Sequence, residues 1–146
     1  MKNRSETAVE MFNSGWNCAQ SVLSVFCEDS GLKKETAMKL ATGFGAGMAR
    51  KQEVCGAVTG AIMVIGLKHG QANEGDKEAK EATYRLTWEL LARFSAKHGS
   101  CLCRELLEDC DLSTTAGQKY FKENDLHNKI CAKCVRGAVH ILEDIL

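Results

Sequence analysis

"EVCGAVTGAIMVIG", residues 53–66, is a run of small and apolar residues that contains one cysteine. Gly56 and Gly60 lie four residues apart and each is followed by an alanine, so one face of a helix here would be almost bare backbone. Branched apolar residues cover the other sides, and a helix that is apolar all round is buried. The stretch therefore predicts a central helix that its neighbours approach closely, ending at residues 68–70, "KHG".

The rest of the chain predicts an all-α fold, a compact multi-helix bundle around this central Gly/Ala-rich helix. The 146 residues are about one domain's worth, so we expect a single helical domain over residues 1–146. The chain has no proline, and its apolar residues fall mainly at helical spacing. Further helices are expected at about 6–13, 18–29, 34–43, 75–97, 102–108, 114–122 and 129–145. The expected buried positions are Val22, Leu23, Phe26, Leu86, Leu90, Phe94, Val135, Val139 and Leu142, with Trp16 and Trp88 as core anchors.

Charge and hydropathy argue against two classes of partner. Lysine plus arginine and aspartate plus glutamate both number 19, so the balance suggests neither nucleic acid nor an anionic membrane surface. The first residues contain no apolar stretch of signal-peptide length, and no later run reaches the roughly 18 residues that a bilayer requires. We therefore expect a cytoplasmic protein with no nucleic-acid binding and no membrane insertion.

The cysteines carry the chemical signal. There are 8, at positions 18, 27, 55, 101, 103, 110, 131 and 134. A reducing cytosol keeps thiols free, and a chain of this length does not need disulfides to fold. Metal binding or thiol chemistry is therefore the better expectation for the set.

Four of the cysteines are predicted at helix starts, where unpaired N–H groups and the helix dipole stabilise a thiolate. Cys55 falls in the first turn of the central helix, after a Gly-rich loop, "GFGAGMARKQ", that brings Arg50 nearby. Cys18 follows Asn17, with Gln20 placed to complete a capping box. The others are Cys103, after Ser100, and Cys131, after Asn128.

The remaining cysteines are weaker candidates. Cys27 and Cys110 sit near predicted helix ends, where the dipole disfavours a thiolate, so we expect them to be core packing. For Cys101 and Cys134, packing and chemistry are about equally supported. His69 and His98 each precede a glycine, which is typical of a helix end rather than of a ligand.

The ordered cysteines resemble the C_GCAxxG_C_C family of redox-active proteins. The matching stretches are "CGAVTG" from Cys55, "GWNCAQSV" around Cys18, "CRELL" from Cys103 and "CAKCV" from Cys131. The resemblance covers nearly the whole chain and implies a small, mostly helical redox protein with these four family cysteines. The chain departs from the pattern by adding Cys101 and by having Cys134 where an aromatic residue is usual.

Two functional classes remain open from the sequence. In the first, a thiol–disulfide oxidoreductase, Cys55 attacks a redox partner protein or a small thiol or disulfide, and Cys18 is the expected resolving thiol. Cys103 and Cys131 then form a second pair or relay electrons, and no cofactor is required. In the second class, the four family thiols bind an iron–sulfur cluster or zinc. A helical interaction module with incidental cysteines is the weakest alternative.

Overall fold

The chain folds into helices, which confirms the predicted fold class. A computed structural model describes residues 3–146, so the first two residues of the predicted domain lie outside the described part. Over residues 3–146 there is no β-strand, only an isolated antiparallel bridge between Val54 and Leu102. The α-helices are Arg4–Asn13, Cys18–Ser24, Lys34–Ala41, Gly56–His69, Lys77–His98, Cys103–Leu106, Thr115–Glu123 and Ala132–Ile145.

The helix Gly56–His69, here called the central helix, packs its glycines against backbone as predicted. A Cβ atom added at Gly60 would lie 2.8 Å from the carbonyl oxygen of Ala19, and one added at Gly56 would lie 3.0 Å from that of Phe44. Ala19 belongs to Cys18–Ser24, here called the second helix. The two helices thus approach at a distance that only glycine permits.

The predicted core is largely confirmed, but both tryptophan predictions are wrong. Leu90 and Phe94 of the long helix Lys77–His98 are fully buried, whereas Leu86 is only half-buried. Trp88 is 78% exposed because it lies on the solvent side of that helix, and Trp16 is 41% exposed in the turn before the second helix. The buried positions predicted in the second helix and in Ala132–Ile145 are buried as expected: Val22, Leu23, Val135, Val139 and Leu142.

Two predicted helices differ from the observed ones. The segment predicted at 18–29 leaves the α-helix after Ser24 and continues as a 3₁₀ turn, Cys27–Ser30, which Gly31 ends with a φ of 80°. The last helical segment starts earlier than predicted, as a π-helical turn over His127–Cys131 that runs directly into Ala132–Ile145.

The Gly-rich segment forms a left-handed turn. Residues 46–50 all have φ between 51° and 70°, although four of the five are not glycine. Consecutive L-residues in this conformation cost about 1–2 kcal/mol each, so the surrounding structure must hold the turn in place. A Cβ atom at Gly47 would lie 2.6 Å from the Cα atom of Gln52, which shows how closely the chain folds back on itself here.

Within residues 3–146, no helix has both the length and the apolar content needed to cross a bilayer.

Candidate functional site

The largest group of cysteines faces one cavity of about 530 Å³. All four predicted site residues line it, and so does one cysteine that the sequence left undecided. The lining cysteines are Cys18, Cys55, Cys103, Cys131 and Cys134. The fold therefore brings together thiols from four separate parts of the chain.

Cys55 is held at the start of the central helix by a short ladder of backbone hydrogen bonds. It is the N-cap residue, directly before Gly56–His69, and its N–H donates to the carbonyl oxygen of Cys101 at 2.8 Å. The N–H of Cys103 donates to Glu53 at 2.7 Å, and that of Arg104 donates to Gln52 at 3.1 Å. This pairing holds Cys55 and Cys103 on adjacent backbone segments.

The side chain of Gln52 holds this ladder of backbone hydrogen bonds in place. Its side chain is buried, its Nε2 donates to the carbonyl oxygen of Cys110 at 2.8 Å, and its Oε1 accepts from the N–H of Leu112 at 2.8 Å. On the exposed side of the ladder, Arg104 forms an ion pair with Glu53. Gln52 therefore joins the Cys55 segment to the loop that closes one wall of the cavity.

Cys18 begins the second helix through the capping box that the sequence predicted. The side chain of Asn17 accepts from the N–H of Gln20 at 2.9 Å, and the side chain of Gln20 accepts from the N–H of Asn17 at 3.0 Å. A Cβ atom at Gly56 would lie 3.1 Å from the Cβ atom of Cys18. The first turns of the second and central helices are therefore in direct contact beside the cavity.

The helix-start prediction fails for Cys131 and is shifted for Cys103. Cys103 is the first residue of a four-residue helix, capped by Leu102 rather than by Ser100. Cys131 lies at the end of the π-helical turn, because Asn128 is already within that turn and its side chain donates to Asp125 instead of capping. The helix dipole therefore cannot account for Cys131 in the way it does for Cys55.

Cys55 and Cys134 form an interacting pair with opposite pKa shifts. A side-chain hydrogen bond from Cys134 lowers the pKa of the Cys55 thiol, and the backbone N–H groups of Ala57 and Val58 lower it further against the opposing effect of burial. The same hydrogen bond, together with burial and the nearby Cys55 charge, strongly raises the pKa of Cys134. The arrangement favours a thiolate at Cys55 that accepts a hydrogen bond from a protonated Cys134.

Cys18 interacts most strongly with Cys131 among the thiols of the cavity. A side-chain hydrogen bond to Cys131 and burial raise the pKa of Cys18 well above its ordinary value. Burial raises the pKa of Cys103 to about 12, with the charge of Cys55 as the next cause. The sequence predicted Cys18 as the resolving partner of Cys55, and that pairing stays a prediction; the largest cause of the lowered Cys55 pKa is Cys134.

The other three cysteines do not line this cavity. The thiol of Cys27 donates to the carbonyl oxygen of Ser24 at 3.5 Å, and that of Cys110 donates to Gly117 at 3.2 Å. Burial raises the pKa of both thiols. The sulfur of Cys101 lies 3.1 Å from the hydroxyl of Ser95. In residues 3–146, no three His, Cys, Asp or Glu side chains are arranged to hold a metal ion.

The ordered cysteines and their common cavity agree with a family comparison. A family model described as "Putative redox-active protein (C_GCAxxG_C_C)" matches residues 16–145. The chain belongs to this family. The match contains the whole cavity-lining cysteine set of this C_GCAxxG_C_C protein, from Cys18 to Cys134. No curated protein and no solved structure matches the chain.

Cys134 is the site residue that the sequence reasoning undervalued. A signal for it was present, because Cys131 and Cys134 are three residues apart and such residues share one face of a helix. Both thiols consequently face the cavity of this C_GCAxxG_C_C protein.

Proposed function

We propose that this protein is a thiol–disulfide redox protein in which Cys55 is the attacking thiolate and Cys134 the resolving thiol. The observation that carries the proposal is the Cys55–Cys134 pair, where a hydrogen bond from Cys134 lowers the pKa of a thiol at a helix N-terminus beside an open cavity. Nucleophilic exchange requires the thiolate, and this pair supplies it at a defined sulfur atom.

The first step joins Cys55 to the substrate. The Cys55 thiolate attacks one sulfur of a disulfide, R–S–S–R, forming the mixed disulfide Cys55–S–S–R and releasing one thiolate, RS⁻. Cys134 keeps its proton in this step, and the released RS⁻ takes up a proton from water.

The second step releases the substrate's other half. The pKa of Cys134 is raised chiefly by its interactions with Cys55, and these end when Cys55 loses its charge in the mixed disulfide. Cys134 then ionises more readily and attacks the Cys55 sulfur, forming a Cys55–Cys134 disulfide and releasing the second RS⁻. In sum, the protein dithiol is oxidised by two electrons and one disulfide is reduced to two thiols.

In this proposal the Cys18–Cys131 pair returns electrons to the first pair. Cys131 and Cys134 lie three residues apart, and both pairs face the same cavity. Exchange of the Cys18–Cys131 dithiol with the Cys55–Cys134 disulfide would form a Cys18–Cys131 disulfide and regenerate the first dithiol. A chain with eight cysteines that is long enough to fold without disulfides is typical of a reducing compartment, so we place its action in the cytoplasm.

Trapping the intermediates tests the proposal. The reduced protein is treated with one equivalent of a small symmetric disulfide, quenched in acid and mapped by peptide mass spectrometry. We expect a Cys55–Cys134 disulfide in the native chain, a mixed disulfide at Cys55 in Cys134→Ser, and little reaction in Cys55→Ser. Cys27→Ser, which removes a thiol outside the cavity, is the matched control and should behave as the native chain.

Two results would contradict the proposal. One is a mixed disulfide that forms at the same rate and on another cysteine in Cys55→Ser. The other is stoichiometric iron or zinc bound through these thiols in protein purified without oxygen, which would favour the metal-binding alternative.

A further inference from the structure

The cavity in front of Cys55 has an uneven distribution of charge. Two cations, Arg50 and Lys122, line it, whereas no aspartate or glutamate among residues 3–146 does. Arg50 comes from the left-handed turn and Lys122 from the helix Thr115–Glu123, so the two charges reach the cavity from separate elements. Both residues are exposed, and neither forms an ion pair within the described chain.

The walls of the cavity are mainly apolar and aromatic. Phe12 and Phe121 contribute side chains, and Trp16, which is 41% exposed, stands at the edge where a planar ligand could stack on it. His127 also lines the cavity, but it stacks on Phe12 with ring centroids 3.9 Å apart, and burial lowers its pKa. His127 is therefore part of the neutral wall at pH 7, and the positive potential comes from the two rim cations.

Access to Cys55 is restricted to what the cavity admits. The Cys55 side chain is only 6% exposed, and the cavity in front of it has a volume of about 530 Å³, within the roughly 300–1,000 Å³ of small-molecule pockets. A disulfide of a folded protein would have to enter this cavity to reach the largely buried sulfur of Cys55, whereas a small molecule fits its volume. The geometry favours a small molecule over a partner protein.

We propose that the substrate of this cavity is a low-molecular-weight disulfide that carries a negative charge beside an apolar or aromatic group. This inference rests on the proposed function and deepens it by naming the substrate class. Arg50 and Lys122 attract the charged group at the rim, the aromatic wall takes the apolar group, and the disulfide bond reaches Cys55. The exchange itself balances as described above: Cys55 and Cys134 are oxidised and the small disulfide is reduced to two thiols.

Three probes of different charge test the inference. The reduced protein is reacted with dithiobis(nitrobenzoate), which is anionic, with the neutral dithiobis(nitrobenzamide), and with cystamine, which is cationic. Each rate is divided by the rate with a neutral reference thiol, N-acetylcysteine amide, to remove intrinsic reactivity. We expect the anionic probe to be favoured over the neutral one by about tenfold at low salt, with the preference falling as salt is added.

Charge-removing variants identify the source of the preference. Arg50→Gln combined with Lys122→Gln should reduce the preference for the anionic probe to near that of the reference thiol. The matched control combines Lys51→Gln and Lys133→Gln, which remove two exposed cations that do not line the cavity. This control should keep the native preference.

The outcomes separate the inference from the proposed function. If Cys55 reacts but shows no preference for the anionic probe, or if the Arg50→Gln and Lys122→Gln variant keeps the preference, the inference is overturned and the proposed function stands. If the protein reduces the disulfides of insulin as fast as it reduces the small probes, the assignment of a small-molecule substrate is overturned and the proposed function stands. If Cys55 reacts with none of the probes, both are overturned.

Discussion

The close contact at Gly60 allows a stability prediction with an internal control. A Cβ atom at Gly60 would lie 2.8 Å from the carbonyl oxygen and 3.0 Å from the Cα atom of Ala19, and both are backbone atoms that cannot rotate away. Gly66 lies on the same helix and has no atom within 4 Å of its Cβ position. Replacing either glycine by alanine brings the same gain in helix propensity, so the difference between the two variants isolates the steric cost.

The magnitudes follow from these contacts. Gly66→Ala should raise the free energy of unfolding by about 0.5–1 kcal/mol, because alanine loses less conformational entropy than glycine on folding. Overpacking typically costs about 1–3 kcal/mol. The free energy of unfolding of Gly60→Ala should therefore be lower than that of Gly66→Ala by about that amount. Urea unfolding of the reduced proteins, compared at equal m-values, measures the difference. Equal unfolding free energies for the two variants would refute the close packing of the central and second helices.

Three further predictions follow from the site and its supports. Gln52→Met should lower the free energy of unfolding by about 1–3 kcal/mol for each buried backbone group left without a partner. Lys51→Met, at an exposed neighbouring position, should change it little. Urea titration of both variants measures the difference, and equal unfolding free energies would contradict the role of Gln52. Burial lowers the pKa of His98 below its ordinary value of 6.5, so its stability contribution is complete above that pH and is lost as the pH falls through the folded-state pKa. His98→Gln should therefore flatten the decline in stability between pH 7 and pH 5, and an unchanged slope would contradict this. Cys134→Ala should raise the pKa of Cys55, because its largest lowering cause is removed, and Cys55 alkylation at pH 7 should slow while Cys27→Ala leaves it unchanged.

The sequence predicted correctly those helices that are determined by residues close together in the chain. The capping box of Asn17 and Gln20 predicted the start at Cys18, and the spacing of Gly56 and Gly60 predicted the central helix, because both signals lie in residues three or four apart. The π-helical turn was missed, since Asn128 is typical of a helix cap and only its contact with the preceding turn shows otherwise.

The pairing of thiols could not be read from the sequence, because it depends on contacts between distant segments. Cys55 and Cys134 face one cavity because the last helix packs against the central helix, a contact between segments far apart in the chain. The position of Trp16 at the cavity edge has the same origin, since burial of an aromatic residue is decided by which neighbours cover it.

The most direct test of the account is the rate at which each of the eight thiols is alkylated across a pH series. The reduced native protein is labelled briefly with iodoacetamide at each pH, and peptide mass spectrometry reads all sites in one experiment. We expect Cys55 to be labelled fastest at pH 7, and the midpoint of its labelling against pH should lie below the ordinary thiol pKa of 9.0. Cys18, Cys103 and Cys134 should react only at higher pH. The account is contradicted if Cys55 is labelled more slowly at pH 7 than Cys131, the most exposed thiol of the cavity, or than Cys27 or Cys110.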